Sequence, residues 1–525
     1  MSNGITSSLR TAAKGTAFVL AGMAASQALW FVIRLLLVRN LSKEDLGMYS
    51  LVIAVVSIVS MMASVGLWEG ATRYISIFLG QGRKVEAAAV HRSSLMIGAA
   101  AGTGACVVLL LFSGVLSRYI FYKPELSTPL MVMSFFIPVF VMAFIIASIL
   151  RGYGTIIPKV YFMDIGQPLL FFGLLCLIFL LGLSFISIIW AYVLSMAAVF
   201  VLIAYYGYRK TGVGPFAFRG GGYVGELLKF SVPILSLDIT SLILRWADTL
   251  MLGRYRSAEE VGVYSVSVSL AVFLTLPLMA LDNVYMPIAG ELYAQDRSAD
   301  LARSYQVLTK WIISVTLPIF FILFFFPGMT ITLLFGERFA DSVLPLRILS
   351  LGYLFNAFMG TNILLLLVLG LSKAVMKVCA AGTLLNVLLN YVLIKQIGLG
   401  TEGAALSSMV SLLATGGGYS YVLYKHSGLK PIASGLLKPV IGSAVIGAII
   451  YAVAKSLPLY FWMLPVYFLL YICGYIALLI LTRSLDAEDV FLFGEILKKA
   501  GVAPEAAQKI IGKIYKRKGG NPDLR

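Results

Sequence analysis

The sequence predicts an all-α polytopic membrane protein of about fourteen transmembrane helices, and three observations predict it. Sixty per cent of the 525 residues are hydrophobic and only 12% are charged, against roughly 25% charged in soluble domains. Apolar runs of about 18 to 25 residues recur from end to end, each long enough to cross a ~30 Å hydrocarbon core as a helix. A short polar segment is also written twice, as RNLSKEDLGMYS from Arg39 to Ser50 and as RYRSAEEVGVYS from Arg254 to Ser265, with six of twelve positions identical. An even number of spans separates the copies, so the repeat implies two six-helix lobes related by a pseudo-two-fold axis along the membrane normal, with two extra C-terminal helices.

Taken in order, the expected spans are 16–38, 48–68, 89–112, 127–149, 163–182, 185–206, 228–252, 262–284, 306–327, 346–369, 374–396, 402–424, 435–455 and 461–482. Only Gly182-Leu183-Ser184 divides the fifth from the sixth. A single broken helix there would move every later loop to the other side. With the N-terminus inside, most of the 41 Lys and Arg residues fall in cytoplasmic segments, as the positive-inside rule requires. A multi-pass protein of the cytoplasmic membrane with both termini in the cytoplasm is therefore expected. Its organisation is an N-terminal lobe at 1–210, a C-terminal lobe at 225–430, helices 13 and 14 at 431–483, and a cytoplasmic amphipathic basic tail at 484–525.

The net charge of +17 reads as this topological bias plus the tail, so no nucleic-acid partner is implied. The tail ends in Lys513, Lys516, Arg517 and Lys518, a cluster suited to an anionic membrane surface. Cys106, Cys176, Cys379 and Cys473 fall inside expected helices without short metal-ligand spacing, so no zinc site or disulfide is implied. No phosphate-binding P-loop is present, and no cofactor is expected.

In the repeated segment, Ser42 with Asp45 and Ser257 with Glu260 form S-x-x-[DE] capping boxes that start helices 2 and 8. The neighbouring Gly and Tyr suit tight packing and an aromatic interface anchor. The segment is expected to report duplication and not a ligand site.

Ionisable residues deep in a span cost at least ~2.5–3.5 kcal/mol on insertion scales and usually face protein or water. Helix 1 places Gln27, Trp30 and Arg34 on one stripe; helix 7 places Asp238, Ser241, Arg245 and Asp248 on another. Helix 2 aligns Ser57, Ser60, Ser64 and Trp68; helix 10 offers Asn356, and helix 11 offers Lys377, Thr383, Asn386 and Asn390. Such residues line a wet cavity or bond neighbouring helices. A guanidinium binds phosphate oxygens through paired hydrogen bonds, so Arg34 and Arg245 suit a diphosphate. Asp238 and Asp248 are expected gating or ion-coupling residues, serving a proton or sodium gradient, with Arg245 near enough to neutralise both. Arg34 and Asp248 occupy near-equivalent depths toward the outer side and are expected to pair as an outer gate when the cavity opens inward. Pro138, Pro168, Pro277 and Pro318 lie within expected helices, where each removes a backbone hydrogen bond.

RLLLVRNLSKEDLGMYS, SVGLWEGATRYIS, RWADTLMLGRYRSAEEVGVYS and LLNVLLNYVLIKQIGLGTEGAALSS together resemble the polysaccharide flippase branch of the multidrug/oligosaccharidyl-lipid/polysaccharide exporter superfamily, over helices 1 to 12. The resemblance implies a MATE-like fold. It also implies a flippase that moves a polyprenyl-diphosphate-linked oligosaccharide by alternating access, with polysaccharide-assembly enzymes as partners and helices 13 and 14 as a groove for the lipid tail. Arg34 is then the best match to a cationic cavity residue, with Arg245 a looser one and Gln27, Trp30, Asn356, Asn386 and Asn390 beside them. Two rivals stand: a cation-coupled multidrug exporter of the same fold, and a membrane-embedded glycosyltransferase or ligase. The short outer loops weigh against the second.

Overall fold

The computed structural model describes residues 22–214, 222–430, 437–456 and 461–481, among which every regular element is helical. The basic tail expected at 484–525 lies outside the described residues. Helix α1 spans Gly22–Asn40. It is followed by α2 (Lys43–Ser64), α3 (Leu67–Gly80), α4 (Lys84–Val115), α5 (Ser127–Ser134), α6 (Phe136–Gly152), α7 (Gln167–Leu180), α8 (Phe185–Thr211) and α9 (Val224–Tyr255). Then come α10 (Ala258–Ala271), α11 (Leu276–Ala294), α12 (Ser298–Phe325), α13 (Pro327–Phe335), α14 (Val343–Phe358), α15 (Asn362–Val368), α16 (Ser372–Asn390), α17 (Gly400–Ser427), α18 (Leu437–Lys455) and α19 (Leu464–Leu481).

Among the described residues each expected span falls largely on helix. Among the described residues eleven helical stretches are long and apolar enough to cross a membrane, while the stretches at Pro439–Lys455 and Leu464–Leu479 are shorter apolar helices. The 28-residue α17 is longer but carries Glu402, Lys425 and His426 near its ends. The chain is thus a multi-pass membrane protein with at least eleven such helices, and fourteen remains the expectation from sequence. The fifth and sixth spans are separate helices, because Gly182 turns the chain at a φ of 62°.

Several expected spans are divided between elements, the fourth at Phe135 between α5 and α6, and three of the breaks have an identifiable reason. Helix α2 starts under Ser42, whose Oγ accepts from the Asp45 N–H at 3.0 Å, and ends where Val65 and Gly66 take left-handed φ values of 51° and 67°. A Cβ on Gly66 would overlap the Ser231 carbonyl oxygen, so glycine is needed there twice over. The expected Ser57–Trp68 stripe therefore does not continue on one face: the left-handed step re-aims Trp68. The eighth span is interrupted by a 3₁₀ turn at Val272–Thr275 before Pro277 enters the first turn of α11. The tenth divides into α14 and α15 at Gly360, whose φ of 60° keeps it against Thr309. Pro168 opens α7 after a π-helical turn at Lys159–Gly166, where its missing N–H costs least. Pro318 lies inside α12, as do Pro233 in α9 and Pro287 in α11.

The chain groups into two compact units. One holds Ala21–Val266 with Thr383–Ala404, and the other holds Ser267–Gly382 with the residues from Ala405 onward. In the latter, buried Tyr285, Tyr305, Leu308, Leu365 and Leu423 build one core. A second core docks α18 and α19 on α12. There the Phe321 ring stacks on Tyr471 at 4.0 Å and Phe326 stacks on Tyr467 at 5.4 Å.

Candidate functional site

Within the Ala21–Val266 unit the two copies of the repeated segment meet. A Cβ on Gly47 would overlap the carbonyl oxygen of Ala258, and one on Gly262 would overlap that of Lys43. The helix starts of α2 and α10 thus cross reciprocally, glycine to glycine, as a local two-fold relation demands. Both serine caps are made, the second by the Glu260 N–H donating to Ser257 Oγ at 3.2 Å.

Three cations close the same end by capping helix C-termini, where carbonyls lack intrahelical partners. Lys123 Nζ donates to Gly253 O at 2.6 Å and to Arg256 O at 2.7 Å; burial lowers its pKa. Arg254 donates to Ile120 O at 2.7 Å, and Arg256 donates to Gly398 O. The loops after spans 1, 3, 7 and 11 therefore share one end, as the expected topology requires. That placement needs an even number of crossings between successive members.

The repeated tyrosines do not act as interface anchors. Tyr49 and Tyr264 are buried, and each meets a polar group. The Tyr264 hydroxyl donates to Asp248 Oδ2. Asn386 and Asn390 donate to Asp248 Oδ1 at 3.1 and 2.7 Å, and Asn390 Nδ2 also reaches Asn386 Oδ1 at 3.1 Å. Both asparagines are fully buried, and Asn390 Oδ1 has no hydrogen-bond partner among the described residues. Spacing i, i+4 on α16 puts them on one face, and their partner is a carboxylate. Tyr49 lies within electrostatic range of Arg34 and Tyr192. The Arg34 Nε is buried without a hydrogen-bond partner among the described residues.

Among the described residues Arg34 and Asp248 form no ion pair, and Asp248 accepts from Tyr264 and the α16 asparagines. Arg245 is exposed and forms an ion pair with neither Asp238 nor Asp248 among the described residues, so the expected neutralisation is corrected. Asp238 instead accepts from Trp68 Nε1 at 3.2 Å. Around Trp68 stand Arg151, with its guanidinium 5.6 Å from the ring, and Glu69, which pairs with Arg151 at 3.1 Å. Arg151 also donates to Thr72 Oγ1 at 3.2 Å. Gln27 is exposed and Trp30 half-buried on α1. Asn356 is half-buried on α14 and belongs to the unit beginning at Ser267.

Glu69 and Arg151 were legible in sequence only as helix-end charges; the fold brings Glu69 of α3 against Arg151 of α6. In the unit beginning at Ser267, Asp282 was also missed: its Oδ1 is buried without a hydrogen-bond partner among the described residues. A lone carboxylate in LPLMALDNVYMP was the signal for it. Nearby polar groups include Tyr305, which donates to Asn362 Oδ1, and Asn362, which donates to Ser420 Oγ at 2.7 Å.

The helical architecture is that of the multidrug exporter and lipid flippase class of membrane proteins. It matches the lipid II flippase MurJ in an inward closed conformation with a TM-score of 0.73 and 14% identity, covering 89% of this chain and 99% of that one. It matches an inward-facing multidrug resistance MATE family transporter with a TM-score of 0.65 and 17% identity, covering 78% and 95%. The chain itself belongs to the polysaccharide biosynthesis protein family, whose model matches residues 12–292, and the MatE model matches residues 233–392. Among curated proteins it is similar to the teichuronic acid biosynthesis protein TuaB of Bacillus subtilis, 23% identical over 331 residues, covering 61% of this chain and 67% of the relative.

Proposed function

We propose that this protein is a transporter that flips a polyprenyl-diphosphate-linked oligosaccharide across the cytoplasmic membrane by alternating access, for surface polysaccharide synthesis. The observation that carries the reading is the Arg34 guanidinium, half-buried in an apolar span with its Nε unsatisfied. A buried donor left without a partner is costly, and a diphosphate supplies acceptors of the right charge. Membership of the polysaccharide biosynthesis family supports a saccharide headgroup, and the likeness of fold to a lipid II flippase supports a lipid carrier. Arg245, exposed on α9, offers a second contact as the substrate moves.

Asp248 is the ion-coupling residue in this reading. Its carboxylate, the Tyr264 hydroxyl and the unsatisfied Asn390 oxygen offer hard oxygen ligands suited to sodium, or a carboxyl able to take a proton. The crossing of Gly47 and Gly262 is the gate at the outer end, with both chain termini and the basic tail on the cytoplasmic side against anionic lipid.

The test is flipping of a fluorescent polyprenyl-diphosphate oligosaccharide by the purified protein in proteoliposomes. Wild type is expected to flip it, Arg34→Gln to lose at least tenfold in rate, and Arg34→Lys to keep part of the activity. Absence of flipping together with sodium- or proton-driven uptake of a cationic dye overturns the reading in favour of a drug exporter.

A further inference from the structure

Seven aromatic rings form one continuous row in the Ala21–Val266 unit. Trp30 lies 6.2 Å from Tyr192, which meets Phe171 at 5.0 Å and Phe136 at 5.2 Å. From Phe136 the row runs up α6, stacked on Phe140 at 5.2 Å and then on Phe144 at 5.6 Å, with interplanar angles of 19° and 11°. Phe144 meets Trp68 at 6.2 Å. The α6 section alone covers about 12 Å of membrane depth at 1.5 Å per residue.

On α8 the row lies off the lipid-like stripe: Trp190, Leu194, Val201, Tyr205 and Tyr208 are exposed, and Tyr192 points about 200° away from Trp190 at 100° per residue. On α6 no described residue is fully exposed, and Phe140, Phe144 and Arg151, which share one side of the helix, are half-exposed, as are Pro138 and Val139 near its start. Trp30, Trp68 and Tyr192, from three further helices, are half-exposed on the same row. Four helices, α1, α3, α6 and α8, thus each contribute partly open rings to one row.

Both ends of the row are polar. At one end Arg34 stands one helical turn from Trp30, with its unsatisfied Nε. At the other, Trp68 is held edge-on by Asp238 while Arg151, Glu69 and Thr72 gather around it. Such a surface suits a pyranose. The negative ring face attracts the polarised axial C–H groups of a sugar, and the flanking carboxylates and guanidinium match its hydroxyls. A purely apolar tail would leave those polar ends unmatched. Repetition of similar, individually weak contacts also lets a ligand advance without being trapped, the condition for passage through any multi-site path.

We infer that the partly open rings of this row, Trp30, Tyr192, Phe140, Phe144 and Trp68, are the saccharide track of this transporter, contacted by sugar rings in succession while Arg34 holds the diphosphate; buried Phe136 and Phe171 support them from behind. The inference rests on the flippase reading and adds to it the residues that recognise the sugar. Its test compares two lipids on the full-length protein in nanodiscs: a polyprenyl diphosphate bearing N-acetylglucosamine, and the same lipid without sugar. Wild type binds the sugar-bearing lipid more tightly. Phe140→Leu with Phe144→Leu, which keeps apolar volume but removes the rings, weakens that lipid by about tenfold and leaves the sugar-free lipid unchanged. Equal loss for both lipids, or no loss, overturns the track. Wild type that binds both lipids equally overturns the track but leaves the diphosphate site, whereas binding of neither overturns the flippase reading as well. If the double variant does not fold, Phe140→Leu alone must show the same selectivity, at about threefold.

Discussion

Asp248 shows how far a single side chain is decided by its neighbours. In sequence it is one of two acids on α9 with Arg245 nearby, and pairing with that arginine is the simplest expectation. Its hydrogen-bond donors are instead Tyr264, Asn386 and Asn390, two of them far along the chain. Tyr264→Phe removes one donor from a buried carboxylate and is expected to destabilise the protein by about 1–3 kcal/mol, read as a lower thermal midpoint in detergent. Asp248→Asn is expected to uncouple transport: flipping in proteoliposomes should lose its dependence on a sodium or proton gradient. If Asp248→Asn retains the full dependence, the coupling role belongs elsewhere, and Asp282 is the next carboxylate to test. The tyrosines of the repeat carry the matching lesson. Their recurrence was visible in sequence, but whether a tyrosine sits at an interface or bonds an interior group depends on what packs over it.

At the scale of elements, breaks matter as much as helices. Hydropathy reads Lys43–Gly80 as one 38-residue apolar stretch, since a left-handed residue pair changes no hydrophobicity. The break at Val65 and Gly66 nevertheless turns Trp68 toward Asp238 and thereby terminates the aromatic row. Gly66→Ala combines a left-handed φ with overlap on Ser231, so a loss above about 1 kcal/mol in stability is expected, measurable by thermal unfolding. The reciprocal crossing of α2 and α10 gives a sharper comparison. Gly47→Ala and Gly262→Ala each place a methyl group on a helix-start carbonyl and are expected to reduce flipping severalfold. Gly104→Ala, at a helical position with nothing within 4 Å, should leave it unchanged. The caps at Ser42 and Ser257 were legible because capping is local chemistry. The glycine crossing was not, because it involves segments about 215 residues apart, although the duplication hinted that the two copies are symmetry mates.

For the whole molecule the strongest expectation is topological. The meeting of Lys123, Arg254, Arg256 and Gly398 at one end fixes the parity of crossings between their loops. The positive-inside bias predicts that this end is external. Cysteines placed at Tyr122 and at Arg83 should therefore label from opposite sides of intact cells, Tyr122→Cys with an impermeant maleimide applied outside and Arg83→Cys only after permeabilisation; the reverse pattern inverts the whole topology. The all-helical fold and membrane residence were written in the sequence because hydrocarbon enforces them: every backbone group in lipid must bond within its own segment, so apolar length alone declares a span. Tertiary structure alone decided which polar residues serve one another, placing Asn386 and Asn390 on Asp248, Trp68 on Asp238, and Arg34 within electrostatic range of Tyr49 with its Nε unsatisfied. In a helix a side chain's direction follows from periodicity, but its partner depends on how other helices cross it and where they break, and neither is encoded in the hydropathy of any one span.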